Sequence, residues 1–366
     1  MSGQRRPFPD TYFLFDRNPH WPENARLCDC AGHLGETSLK KPGRILLYCL
    51  GGLIVLLAVV ITFTIGWRPF LGPRARATND RKFESTPERL ARGRYLVQGL
   101  LGCEVCHTES DWTQHGAPKV AGMELAGQLF PLPGFPGTLV APNLTPDPET
   151  GSGGWSDDQI ARAIREGVKH DGTTLFPIMP YAQYRNLSDE DLASVVVYLR
   201  SLRPVRNPLP HSKINFPVNY LVRSAPEPVT AAVAGPGSDQ LARGKYMVSL
   251  GCGCHNTVRK LPYAGGERLA GPWGSVVSAN ITPDPSGISY YTEATFITAL
   301  RTGYVGARKL NSIMPFGDFK NLTDEDLKAI YAYLRTLTPV KHRVDNSLPA
   351  TYCRLCKQKH GAGDQN

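Results

Sequence analysis

Beyond residue 84 the chain repeats itself, and duplication constrains a fold more tightly than composition does. "LARGRYLVQGLLGCEVCHT" (Leu90–Thr108) is answered by "LARGKYMVSLGCGCHNT" (Leu241–Thr257). "NLTPDP" (Asn143–Pro148) is answered by "NITPDP" (Asn280–Pro285), and "IMPYAQYRNLSDEDLASVVVYLRSLRPV" (Ile178–Val205) by "IMPFGDFKNLTDEDLKAIYAYLRTLTPV" (Ile313–Val340). The last pair has equal length, and all landmarks keep their order. Each copy is therefore one small domain, and one description serves both.

Spacing predicts helices and no convincing alternating strands. Ser188 and Thr323 are N-cap residues, each followed by an acidic first turn, Asp189-Glu190-Asp191 and Asp324-Glu325-Asp326. Leu192, Val195, Val196 and Leu199 then recur at helical spacing, as do Leu327, Ile330, Tyr331 and Leu334. Pro204 and Pro339 stop these helices. Further helices are predicted near Pro87–Gln98 and Gln240–Ser249, and near Ser156–Glu166 and Thr292–Arg301. With 36 Gly and 31 Pro in 366 residues, long irregular loops join them. "SAPEPVTAAVAGPGSD" (Ser224–Asp239) reads as a linker. "NPLPHSKINFPVNYL" before it carries apolar anchors and is expected to wrap the first copy.

"ILLYCLGGLIVLLAVVITFTIGW" (Ile45–Trp67) has no charged residue and the length of a membrane span. It is longer than a signal-peptide core, and "LGPRARATND" after it offers no clear cleavage site. Arginines and lysines flank both ends, so charge does not orient it. The net charge of +9 is scattered and follows no nucleic-acid-binding motif. It suits a membrane-proximal surface or a face for an acidic partner.

Cys103-Glu104-Val105-Cys106-His107 is the pattern for covalent haem attachment. Two thiols add across the porphyrin vinyl groups, and the next residue, His107, is placed under the iron. A redox CxxC would need a βαβ context, and zinc a second ligand pair. Met179 and Met314, each followed by Pro, occupy matching places and are the candidate second axial ligands. His115 and His170 have no counterpart in the second copy and read as surface histidines.

The second motif, Cys252-Gly253-Cys254-His255, is one residue short. His255 remains the expected ligand and Cys254 the expected tether. For Cys252 three outcomes stay open: an unusual second thioether, a free thiol, or another bond.

The string from "RGRYLV" through "CEVCHT", "NLTPDP", "GWSDDQIARAIREG", "IMPY" and "LSDEDLASVVVYLRSL" resembles a class I cytochrome c domain. It is most similar to the domains of multi-haem cytochrome subunits that accept electrons from membrane-bound alcohol, aldehyde or gluconate dehydrogenases. Those subunits typically carry three haem domains behind a cleaved signal; this chain has two behind an apolar helix. The resemblance also implies that Gly93 and Gly244 let the first helix of each copy cross closely over the last, near Tyr198 and Tyr333.

The expected fold is thus all-α, two tandem class I cytochrome c domains after one N-terminal transmembrane helix. The expected segments are a cytoplasmic stretch 1–44, the helix 45–67, domains at 84–223 and 240–345 joined by the linker 224–239, and a tail 346–366. Two covalently bound c-type haems are expected, tethered by Cys103, Cys106, Cys252 and Cys254, with His107, Met179, His255 and Met314 on the irons. Haem attachment on the periplasmic side would put a bacterial inner-membrane protein's haem domains in the periplasm. The expected role is electron transfer between redox partners at that membrane, without catalysis and without nucleic acid. The alternative is an obligate electron-accepting subunit of a larger complex; two candidate Met ligands argue against a peroxidase. In the tail, Cys353 and Cys356 read as a disulfide, or with His360 as a metal site. Cys28 and Cys30, near His20 and His33, read as free thiols with metal binding the alternative.

Overall fold

The computed structural model describes residues 41–130, 132–256, 261–347, 349, 351–352 and the backbone of 359–360. The readings of Cys28, Cys30, His20, His33, Cys353, Cys356 and the His360 side chain lie outside the described residues. The chain divides into two compact units, Met1–Ala58 and Val59–Asn366, and both copies belong to the second.

Helix α1 (Lys41–Phe63) buries none of its side chains and reaches a mean hydropathy of 2.8. By length and composition it can cross a membrane. It stops short of the expected Trp67 because Gly66 turns left-handed (φ 68°) and donates its N–H to Ile61 O at 2.7 Å. After it comes α2 (Arg68–Leu71).

The first copy contains α3 (Pro87–Tyr95), α4 (Cys103–His107), α5 (Asp157–Glu166), α6 (Tyr181–Tyr184) and α7 (Asp189–Ser201). Then α8 (Val218–Leu221) precedes the second copy, formed by α9 (Gln240–Gly251), α10 (Glu293–Thr302), α11 (Phe316–Phe319) and α12 (Asp324–Thr336). The caps are as the sequence predicts: Ser188 accepts from Asp191 N and Thr323 from Asp326 N. Short antiparallel pairs, the longest Arg268–Gly271 with Gly274–Val277, supplement the helices. One of them, Lys213–Ile214 on Gly137–Thr138, wraps the expected segment around the first copy. The 224–239 stretch is also held, with Asp189 N donating to Val233 O at 2.9 Å.

In each copy the first helix lies against the last, α3 on α7 and α9 on α12. A Cβ on Gly93 would stand 2.0 Å from Ser194 O, and one on Gly244 2.0 Å from Ala329 O. The close crossings expected at these glycines, beside Tyr198 and Tyr333, are present.

The copies share one apolar core. Leu96, Leu100 and Val196 of the first pack in the same buried cluster as Met247, Val248 and Leu327 of the second. They also complete each other's polar groups. Tyr246 donates to Asp191 Oδ2 (2.7 Å) and accepts from Ser188 N (3.0 Å), at the start of α7. Tyr95 donates to Asp326 and accepts from Thr323 N (3.1 Å), at the start of α12. Each aspartate is also paired within its own copy, Asp191 with Arg92 and Asp326 with Arg243.

Candidate functional site

Cys103, Cys106 and His107 sit on α4, a single turn entered through Gly102 in the left-handed region (φ 58°). The turn closes with Thr108 N donating to Glu104 O at 3.1 Å. The described cysteines, these two with Cys49, Cys252 and Cys254, are all free. Burial pushes the Cys103 and Cys106 thiols up, Cys106 to about 12 with a contribution from Cys254.

His107 is buried, and its Nδ1 meets Pro142 O at 2.8 Å. A carbonyl only accepts, so Nδ1 carries the proton and Nε2 the lone pair. No hydrogen bond among the described residues engages Nε2. Burial lowers the imidazole pKa, against the opposing effect of the Pro142 contact, and keeps the ring neutral. This is the state of a histidine ready to ligate a metal, with its orientation fixed by the other nitrogen.

The second copy reaches the same arrangement by a different turn. Where the first has the α-helical turn, Gly253–His255 forms a 3-10 turn, with His255 N donating to Cys252 O at 3.0 Å. A 3-10 turn closes on i+3 rather than i+4. The motif one residue short therefore still delivers its histidine to the equivalent carbonyl, His255 Nδ1 to Ala279 O at 2.7 Å. The imidazole is again lowered by burial. Cys252 is half-buried with its thiol raised to about 12 by burial, while Cys254 is exposed.

The carbonyls that hold these rings are themselves held. Each precedes the repeated Asn-x-Thr. Asn143 Nδ2 donates to Val205 O (2.7 Å) and its Oδ1 accepts from Thr145 N (2.9 Å). Asn280 does the same with Val340 O (2.8 Å) and Thr282 N (2.9 Å). The return bonds come from Val205 N to Thr145 Oγ1 and from Val340 N to Thr282 Oγ1. This bracket ties the histidine's carbonyl to the chain leaving the closing helix. In the sequence alone "NLTPDP" and "NITPDP" are landmarks, and their recurrence at matching places in both copies is the signal of this role.

Met179 and Met314 lie half-buried against the shared core, in matching turns. Met179 N donates to Phe176 O and Met314 N to Asn311 O, and each is followed by a short helix, α6 or α11. That helix carries a second unforeseen pair. Gln183 on α6 crowds Gly253 in the shortened motif, where an added Cβ would lie 1.9 Å from Nε2. At the corresponding place on α11, Asp318 lies beside Gly102 at the head of the first motif. Asp318 is buried, its Oδ2 lacks a hydrogen bond, and Lys119 approaches its Oδ1 at 3.7 Å. Burial raises its carboxyl to about 6, against Lys119. The buried Tyr184 hydroxyl donates to Leu101 O just before the first motif, and a Cβ on Gly251, just before the second, would stand 3.0 Å from Leu100. The two attachment motifs are thus neighbours across the junction of the copies.

One expectation needs correction. His115 is no free surface histidine: its ring packs at a tilt against Tyr304 (4.7 Å) and Phe316 (4.6 Å), and its Nε2 meets Thr302 O, all in the second copy. Apolar partners on the other copy draw it into the junction. His170 is exposed, with its ring on Trp155.

The donor set fits a covalently tethered haem: free thiols, a neutral imidazole with a lone pair at Nε2, and a thioether sulfur in each copy. Among the described residues no cluster of three or more His, Cys, Asp or Glu is placed to hold a bare metal ion.

Residues 90–203 match the family model for cytochrome c. Over 276 residues the chain is 30% identical to the cytochrome c subunit of the quinone alcohol dehydrogenase of Gluconacetobacter polyoxogenes, covering 68% of this chain and 56% of that one. It is 29% identical to the fructose dehydrogenase cytochrome subunit of Gluconobacter japonicus, covering 72% and 56%. It is 29% identical to a diheme cytochrome c-type protein of Cereibacter sphaeroides, covering 66% and 83%. The chain spans about half the length of the first two relatives.

Proposed function

Residues 90–203 belong to the cytochrome c family, and from that premise we propose that the chain is a membrane-anchored di-haem cytochrome c carrying electrons between redox partners. When bound, c-type haem supplies a one-electron iron couple. Cys103 and Cys106 tether the first haem, with His107 and Met179 as its axial ligands. Cys254, with Cys252 beside it, tethers the second, with His255 and Met314.

The observation that carries this reading is the duplicated histidine geometry. Both rings have Nδ1 fixed on a backbone carbonyl by the same Asn-x-Thr bracket, and no hydrogen bond among the described residues engages either Nε2. Support for the second domain comes also from the relatives, whose matches cover more of the chain than residues 90–203 alone. The apolar α1 would hold the protein in the inner membrane, with 84–223 and 240–345 as periplasmic haem domains and 224–239 as the segment joining them. Residues 1–44 and 346–366 would flank them. Acting as the electron-accepting subunit of a dehydrogenase is the second reading, favoured by the relatives that are named as such subunits.

The test is the intact mass of the purified protein with a pyridine haemochrome spectrum. The expected result is two haems per chain, and the α-band position reports whether the second has one thioether or two. A mass with one haem overturns the two-site reading. Co-purification with a dehydrogenase separates the two roles.

A further inference from the structure

The exposed large apolar side chains of Val59–Asn366 concentrate where the chain leaves α1. Phe70 and Leu71 of α2 are 52% and 74% exposed. Phe216, 79% exposed, lies far away in sequence, yet α8 and the 3-10 turn after it (Val222–Ser224) pack against α2. Tyr220 and Leu221 of α8 are exposed as well. Arg223 joins the two segments: Nη1 donates to Pro69 O at 3.5 Å, and the guanidinium stands 4.3 Å from the Tyr220 ring centre.

Continuity identifies what covers this patch. Four residues separate Phe63, the end of α1, from Arg68, so α2 begins within about 18 Å of the end of the apolar helix. Trp67 narrows that further, since its Nε1 donates to Thr62 Oγ1 at 3.1 Å in the last turn of α1. Trp, Tyr and Phe mixed with Arg is the composition of a lipid headgroup layer, where rings sit at the acyl boundary and guanidinium groups meet phosphate. A short, well-packed element with an apolar outer side beside a membrane exit suits that layer.

We propose that Arg68–Leu71 and Phe216–Arg223 form a foot that rests in the lipid headgroup layer beside α1 and fixes the attitude of the haem-bearing copies to the membrane. The foot is rigidly joined to them. Arg76 bonds Asp158 (2.6 Å) and Glu166 (2.7 Å) on α5, and Arg81 bonds Asp158 (3.0 Å), so the chain between foot and first copy is clamped. On the other side, Lys213–Ile214 is paired into the first copy. The proposal rests on α1 being a membrane span.

The test uses the full-length haem-loaded protein in phosphatidylcholine vesicles doped with a diazirine-bearing phosphatidylcholine. After illumination, lipid adducts are mapped by mass spectrometry. The expected result is adducts on the peptide around residues 215–222 as well as on α1. In Phe216→Asp/Leu221→Asp the 215–222 yield falls about tenfold or more, a loss of roughly 1.4 kcal/mol of partitioning, while α1 adducts persist. Adducts on α1 alone, or a yield unchanged by the aspartates, overturn the foot and leave the anchor standing. Adducts on neither segment overturn both.

Discussion

At the scale of single residues, the two crossing glycines are the sharpest constraint. Gly93→Ala must move Ser194 O, a backbone atom inside α7, and overpacking of this kind costs about 1–3 kcal/mol. Gly154→Ala, where a Cβ would have open space, is the control and should leave the thermal midpoint nearly unchanged. Equal midpoints for the two variants would show that the crossing relaxes freely. The cysteines and histidines proposed for haem attachment stand out in the sequence because that chemistry fixes their spacing. The bracket of Asn143 and Thr145 was legible only as a recurrence, since a hydrogen bond to Val205 leaves no trace in local sequence. The exchange of Gln183 and Asp318 across the junction was not legible, because nothing in one copy says which face meets the other.

At the scale of elements, the α5 clamp makes a pH prediction. Burial alone would raise the Asp158 carboxyl, but the hydrogen bond from Arg76, with Asn79 N and the charges of Arg76 and Arg81, outweighs it and holds the group below its ordinary 3.8. A carboxyl depressed by folding contributes stability in full above its unfolded value, and loses it as pH falls through the lower folded value. The strap at residues 76–83 should therefore stay protected from proteolysis at pH 6 and become cleavable well below pH 4, on the order of the unfolded aspartate value. Asp158→Asn should make it cleavable already at pH 6, because Arg76 and Arg81 lose a buried charged partner. Strap cleavage independent of pH and of this substitution would count against the clamp. The helices themselves followed the sequence closely. Two departures stand out: α1 ends at Phe63 rather than Trp67, and at Gly253–His255 a missing residue is absorbed by a tighter 3-10 turn.

At the scale of the molecule, two repeats joined by a Pro- and Gly-rich stretch read as beads on a string, but a common core unites them. The prediction is one cooperative thermal transition for residues 84–345, followed by calorimetry and by haem absorbance together. Tyr95→Phe with Tyr246→Phe removes the hydroxyls at both caps, each costing about 1–3 kcal/mol where a buried partner is left unpaired. The transition of the double variant should fall in temperature and begin to separate into two. Two separate transitions in the unaltered protein would rule out the shared core as the basis of stability. The repeat was readable in the sequence, whereas the fusion of its copies was not. It depends on which surfaces meet, and each copy read alone looks self-sufficient.

The reciprocal tyrosines carry a consequence for descent. Asp326 is completed by Tyr95 of the other copy, and Asp191 by Tyr246. The two tyrosines hold the same place in the repeat, LARGRY and LARGKY, so one repeated residue completes the partner copy twice over. A change at either aspartate is therefore judged by a residue elsewhere in the gene, and the two halves can drift only as a pair.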